Sequence, residues 1–102
     1  MRHRENDYQS TIRELRQIPS VGVSVAVDLY DLGYRTIDDL RGADPDEMYE
    51  AHCRQRGARV DRCVLYTFRC AVYFAETPNP DPEKLKWWNW SDRKLEVARK
   101  QH

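Results

Sequence analysis

Apolar residues recur along the chain at spacings of three and four positions, the repeat of helices that bury one face. No stretch of any length alternates apolar and polar residues as a half-buried strand does. A first helix is predicted to begin with Asp7 or Ser10 as its N-cap and to stop at Pro19. Its apolar face would carry Ile12, Leu15 and Ile18. The pattern therefore predicts an all-α fold.

Local signals for helix ends divide the next part of the chain. Gly33 is expected to end a second helix in the left-handed conformation, which glycine adopts most readily. Asp44, Pro45 and Glu47 have the spacing of an N-cap, a first helical residue and a capping-box partner. Gly57 would end the helix that they begin.

A long helix is predicted next, over about residues 60–76, and Pro78 bounds it. Upstream, Thr36 and Asp39 have capping-box spacing. Prolines at 78, 80 and 82 favour an extended stretch before a short final helix. A chain of 102 residues is one domain in size. We therefore expect a compact single domain, 1–102, of about five helices, with the long helix at its centre.

The stretch IPSVGVSVAVDL, residues 18–29, is typical of a helix-hairpin-helix motif at the turn into its second helix. Such turns hold nucleic-acid phosphates through backbone amides at a helix N-terminus. The predicted contact residues are Ser20, Val21, Gly22, Val23, Ser24 and Val25. Ser20 replaces an expected glycine, and Val23 stands where a basic residue is common. The alternative is a turn that only connects two core helices.

Charge is unevenly distributed although the net charge is zero. Residues 18–50 hold eight acidic and two basic residues, a net of −6, whereas residues 51–72 hold five arginines and one aspartate, a net of +4. Clustered basic residues neutralise phosphates and so provide non-specific affinity for DNA. The arginines predicted to assist the turn are Arg54, Arg56, Arg59 and Arg62.

The long helix presents a stripe of arginine and tyrosine on one side. At about 100° per residue, the residues that share this sector are Arg59, Arg62, Tyr66, Arg69, Tyr73 and Glu76. Neither Arg62 nor Arg69 has an acid four positions away within the helix. The stripe could contact nucleic acid, face solvent, or pair with the acidic 38–50 segment.

The Trp-rich C-terminal segment, residues 78–102, holds every tryptophan of the chain: Trp87, Trp88 and Trp90. These rings could fasten the segment to the helical core, because they bury a large apolar area. They could instead stack on bases or dock a protein partner.

Catalytic and metal-binding patterns are weak. Three cysteines are an odd number, which favours free thiols over disulfides. The candidate metal ligands are His52, Cys53, Cys63 and Cys70, but they lack the short paired spacing of zinc sites. We therefore expect no metal, no cofactor and no enzymatic activity. The polar start MRHREND has no apolar segment behind it and no membrane span follows, so we expect a cytoplasmic protein.

From Leu15 to Trp90 the chain resembles the bacterial "pathogenicity locus" family of small helix-hairpin-helix proteins, whose members are often called mitomycin resistance proteins. The segments DRCVLYTFRCAVYFAE and KWWNW carry the resemblance most specifically. It implies a fold of the helix-hairpin-helix, SAM-domain-like superfamily, with the motif at about residues 10–41.

The turn is also similar to the hairpins of DNA-repair proteins and of the C-terminal domain of the α chain of RNA polymerase. That similarity implies phosphate contacts by the amides of Ser20 to Val25. Weak, sequence-independent DNA binding linked to DNA damage or repair is thus the preferred prediction. The alternative is a protein-interaction module that has kept the fold and lost DNA binding, with Trp87, Trp88 and Trp90 as its docking region.

Overall fold

The computed structural model describes residues 2–100, with side chains from Tyr8 onward. Five α-helices are present: α1 Arg2–Leu15, α2 Val23–Asp31, α3 Pro45–Arg56, α4 Arg62–Glu76 and α5 Asp92–Lys100. Three short 3₁₀ helices connect them: Asp38–Leu40, Pro82–Leu85 and Trp87–Trp90. Since residues 2–100 contain no strand, the all-α prediction is confirmed.

Glycine ends α2 and α3 as the sequence predicts. Gly33 has φ +104° and Gly57 has φ +72°, a region that other residues rarely adopt. After α2, the Tyr34 amide donates to the Leu29 carbonyl at 3.0 Å and Gly33 donates to Tyr30 at 2.9 Å. These paired bonds form a Schellman motif, which satisfies carbonyls at the end of the helix.

Short-range caps begin several elements. Thr36 and Asp39 form the predicted reciprocal box, each side chain accepting from the amide of the other, at 3.1 and 3.2 Å. Asp44 caps α3 by accepting from the Asp46 amide at 2.9 Å. Glu47 makes no return bond to Asp44 among the hydrogen bonds of the described residues, so this box is half formed.

The predicted start of α1 at Asp7 or Ser10 is wrong, because the helix begins at Arg2. The residues before Asp7 have no apolar repeat, yet they include no proline or glycine that would break a helix. The end of α1 also differs from the prediction: it lies at Leu15, four residues before Pro19.

The core lies around α4, which packs against α3 and against all three 3₁₀ helices. Leu65 and Phe68 of α4 are fully buried. Residues from the other elements with no exposed surface join them: Leu15, Ile18, Ala26, Leu29 and Leu40. Two carboxylates hold the loop between α2 and α3 in place. Glu14 accepts a hydrogen bond from the Ile37 amide at 2.8 Å, and Glu76 accepts one from the Gly42 amide at 2.7 Å.

The C-terminal segment crosses the exposed side of α4 before α5 begins. Tyr73 accepts a hydrogen bond from the Asp81 amide at 2.8 Å, and Arg69 donates to the Trp90 carbonyl at 2.8 Å. Gln101 and His102, the end of the predicted 78–102 segment, lie outside the described residues. Within residues 2–100, no helix has both the length and the apolar character needed to cross a membrane.

Candidate nucleic-acid interface

The turn between α1 and α2 leaves the start of α2 open. Gly22 is the N-cap of α2, and no side chain caps the helix there. Its φ of −91° is ordinary for any residue. A Cβ placed on Gly22 would meet nothing within 4 Å. The space around this glycine is therefore accessible to an incoming group.

Four backbone amides at this helix start make no hydrogen bond among those of the described residues: Gly22, Val23, Ser24 and Val25. The first turn of α2 contains no acidic residue. Val23 is 52% exposed, and Ser24 is exposed beside it. Because a helix N-terminus carries partial positive charge and free N–H donors, this end of α2 can accept an anion such as a phosphate.

Ser20 and Val21 point the other way. The Ser20 hydroxyl donates to the Leu85 carbonyl at 2.5 Å and lies 3.1 Å from the Cys70 sulfur. Val21 is a buried core residue. Burial raises the pKa of the Cys70 thiol, so this contact stays uncharged at neutral pH. Of the predicted contact residues, only Gly22 to Val25 face outward with their amides.

Three of the four predicted arginines already have acidic partners within the fold. Arg59 holds both oxygens of Glu50, at 2.9 and 3.2 Å, and this bond lowers the pKa of Glu50. Arg62 pairs with Asp92 at 2.6 Å. The remaining pair joins Arg56 to Asp28 at 3.4 Å.

Arg54 lines a cleft beside Leu32 and Tyr34, after the C-terminal end of α2. No hydrogen bond or ion pair of the described residues joins the 20–25 turn to any of the four arginines. The turn lies at Cys70, which follows Arg62 by eight residues, or about 12 Å along α4. No contact therefore gathers the turn and the four arginines into one site, although Arg56 reaches α2 through Asp28, three residues after Val25.

Three further basic residues lie near the turn. Lys84 and Lys86 flank Leu85, the residue whose carbonyl accepts the Ser20 hydroxyl bond. Arg16 is exposed just after α1, four residues before Ser20. Sequence reasoning missed the two lysines because the contact between Ser20 and Leu85 spans 65 positions and follows no helical repeat. Arg16 is close along the chain but lies before the charged stretches 18–50 and 51–72.

The arginine–tyrosine stripe of α4 is covered by its own chain. The ring of Trp90 lies 5.3 Å from that of Tyr73, and Arg62, Tyr66 and Arg69 all reach Asp92. The middle of the stripe is therefore covered, whereas Arg59, Arg62 and Glu76 are exposed. Neither Arg62 nor Arg69 has an acidic partner within α4, but Asp92 pairs with both. Arg59 and Arg69 also pair with Glu50 and Asp46, so pairing with the acidic 38–50 segment, one of the predicted alternatives, occurs.

The three tryptophans differ in whether they attach the C-terminal segment to the core or remain available to a partner. Trp90 fastens the segment: it packs on Tyr73, and its ring nitrogen donates to the Lys84 carbonyl at 2.7 Å. Trp87 and Trp88 meet edge to face with ring centres 5.7 Å apart. Trp88 is 52% exposed and remains accessible to a partner.

The candidate metal ligands are not gathered into a site. Cys53 and Cys70 are buried, Cys63 is half-buried, and all three thiols are free. His52 is buried against Phe68, with its Nε2 atom 3.7 Å from Asp28. In the part of the chain with described side chains, no group of three His, Cys, Asp or Glu residues could hold a metal ion.

Comparison with known proteins places the chain in a family. The Pathogenicity locus family model matches residues 8–96. The mitomycin resistance protein McrB of Streptomyces lavendulae is 36% identical over 90 residues, which cover 87% of this chain and 82% of that protein. No solved structure matches. A match over nearly the whole chain, with a relative of this identity, shows that the protein belongs to the Pathogenicity locus family.

Proposed function

We propose that this protein binds the phosphate backbone of DNA through the start of α2, without sequence preference and without enzymatic activity. The observation that carries the proposal is the group of four unengaged amides from Gly22 to Val25, with no acid in the first helical turn. Contacts from amides to phosphate position a protein on DNA but carry no base information. Binding is therefore expected to be sequence-independent.

The supporting charges in this proposal are Arg16, Lys84 and Lys86, which lie nearest the turn by chain position and by the Ser20 contact. Arg56, Arg59 and Arg62 already neutralise carboxylates. Lys86 is also paired, with Glu83 at 3.0 Å, so Arg16 and Lys84 are the two supporting residues with no acidic partner among the described residues. Three basic residues and one helix N-terminus neutralise few phosphates, so affinity is expected to be weak and to fall with salt.

The direct test places a charge at the helix start. Val23→Glu adds a carboxylate at an exposed first helical position, where it favours the helix dipole but repels phosphate. Fluorescence anisotropy with a short labelled duplex should show affinity reduced about tenfold or more, equivalent to about 1.4 kcal/mol. Val23→Gln is the matched control and should bind within about twofold of the parent. Equal affinity of both variants would overturn the proposal.

The salt dependence identifies the supporting charges. Replacing Lys84 and Lys86 with Gln should flatten the log–log slope against salt by about one to two units. The same change at Arg54 and Arg56 is the comparison and should flatten it less. A larger change of the salt slope at the arginines would mean that DNA contacts the C-terminal end of α3 instead.

A link to DNA damage is part of the proposal, because a relative is named a mitomycin resistance protein. Cells that produce this protein should survive mitomycin better than cells that produce the Val23→Glu variant. Equal survival of the two strains would mean that any protection against mitomycin does not depend on the turn.

A protein-interaction module is the second candidate, favoured by the exposure of Trp88 and by the pairing of the basic residues within the fold. Partners recovered on the immobilised protein after nuclease treatment, and lost with Trp88→Ala, would support it. Partners that nuclease removes would support DNA binding instead.

A further inference from the structure

Three side chains of α4 converge on one carboxylate at the start of α5. Arg62 donates to one oxygen of Asp92 at 2.6 and 3.2 Å, and the Tyr66 hydroxyl donates to the same oxygen at 3.3 Å. Arg69 holds the other oxygen at 3.0 Å. Two guanidinium groups and a phenol around one anion form the donor set that proteins use for phosphate.

The donors are positioned by contacts other than Asp92. Arg69 is only 13% exposed, and the Trp90 carbonyl accepts from it at 2.8 Å. Its guanidinium also lies 5.6 Å from the centre of the Tyr66 ring. Arg62 packs over the ring of Tyr49, 5.4 Å from its centre. The site would therefore persist if the carboxylate left it.

The helix that supplies Asp92 is loosely attached. No residue of α5 is buried. Asp92 makes the only ion pairs and hydrogen bonds from α5 to α4 among the described residues. Beside it, a cleft of about 270 Å³ opens between Arg69 and Arg99, with Leu95 as its apolar wall. Few contacts would have to break for α5 to move away.

We propose that Arg62, Tyr66 and Arg69 form a second phosphate-binding site, which Asp92 occupies in the free protein as an internal competitor. A backbone phosphate of a nucleic acid displaces the carboxylate, and α5 swings off α4. Without Asp92 the nearby acids are Asp46, 3.6 Å from Arg69, and Glu50, which Arg59 already holds, so the site carries net positive charge. The inference rests on the proposed function for the identity of its ligand.

The test is Asp92→Asn, which removes the competing charge and keeps the side-chain size. Anisotropy with the labelled duplex should show binding about fivefold to tenfold tighter, with a log–log salt slope steeper by about one unit. Glu96→Gln is the charge-matched control: Glu96 lies one turn later on α5 and lines the same cleft, but its only ion pair among the described residues is with Lys100, so the comparison isolates the direct contacts of Asp92 with Arg62 and Arg69. It should bind within about twofold of the parent.

A second substitution tests whether the affinity gained by Asp92→Asn depends on Arg62 or only on the loss of a negative charge. Adding Arg62→Gln to Asp92→Asn should return affinity to the parent value. In the parent protein, DNA should speed amide hydrogen exchange over residues 93–100 while the core residues of α4 stay protected. Unchanged exchange in α5, or equal affinity of Asp92→Asn and Glu96→Gln, would overturn the second site.

The outcomes also distinguish the two proposals. If the parent binds DNA and loses it with Val23→Glu, but Asp92→Asn changes nothing, the α2 site stands and the second site falls. If Asp92→Asn binds tightly and Val23→Glu has no effect in that background, the second site stands alone. Absence of binding by every variant at low salt would overturn both.

Discussion

Ser20 is predicted to contact phosphate, but in the structure its hydroxyl makes contacts within the fold. Helix-hairpin-helix turns have a glycine at this position so that a ligand can approach the backbone, but the serine hydroxyl of this chain points inward and reaches Leu85 and Cys70. It thereby joins the turn to both α4 and the C-terminal segment. Its partners are 65 and 50 residues away, a distance at which local sequence patterns carry no information.

Ser20→Ala should lower the free energy of unfolding by about 1–2 kcal/mol, because it leaves the Leu85 carbonyl without its partner in a part-buried position. Urea denaturation followed by circular dichroism measures the change. Ser24→Ala removes an exposed hydroxyl of the same helix start and should cost less than about 0.5 kcal/mol. Equal losses would mean that the Ser20 bond adds no stability.

At the level of helices and turns, the sequence is most informative where a signal and its target are close along the chain. The Thr36–Asp39 box, the Asp44 cap and the glycine ends of α2 and α3 all act within about five residues. The start of α1 could not be predicted from such local signals, because its first residues are polar and offer no apolar repeat.

Asp44 and Glu47, the two residues of the predicted capping box at α3, should contribute unequally to the free energy of unfolding. Asp44→Ala removes the acceptor of the Asp46 amide and should cost about 1 kcal/mol of unfolding free energy. Glu47→Ala should cost only a few tenths of a kcal/mol, the size of a helix-dipole effect, because no return bond forms. Chemical denaturation of both variants tests this, and a loss at Glu47 as large as that at Asp44 would contradict it.

At the scale of the whole molecule, packing offsets part of the charge asymmetry of the sequence. The acidic 18–50 and basic 51–72 stretches fold against each other, so that Asp28 meets Arg56 and Glu50 meets Arg59. Part of each charged stretch is therefore neutralised by the other. The fold class could be predicted from periodicity, but which charges remain available could not, because that depends on how α3, α4 and the C-terminal segment pack.

The same packing makes the attachment of α5 depend on pH. The hydrogen bond from Arg62, followed by that from Arg69, holds the pKa of Asp92 below its ordinary value. A carboxylate whose pKa is lowered by folding stabilises the folded state fully above its unfolded pKa, about 3.9 for aspartate. This contribution is lost as the pH falls from there through the lowered pKa. The core of α4 depends instead on buried apolar residues such as Leu65 and Phe68.

Acid should therefore release α5 before it unfolds the rest of the molecule. Amide protection over residues 93–100 is expected to fall as the pH drops below the unfolded aspartate pKa of about 3.9, while protection over 65–72 persists, because protonated Asp92 no longer attracts Arg62 and Arg69. Hydrogen exchange, corrected for the intrinsic rate at each pH, measures both segments. Asp92→Asn should show an unprotected α5 already at pH 6, and Glu96→Gln should follow the parent. Simultaneous loss of protection in α4 and α5 would instead mean that α5 is held by the apolar contacts of Leu95 and unfolds only with the core.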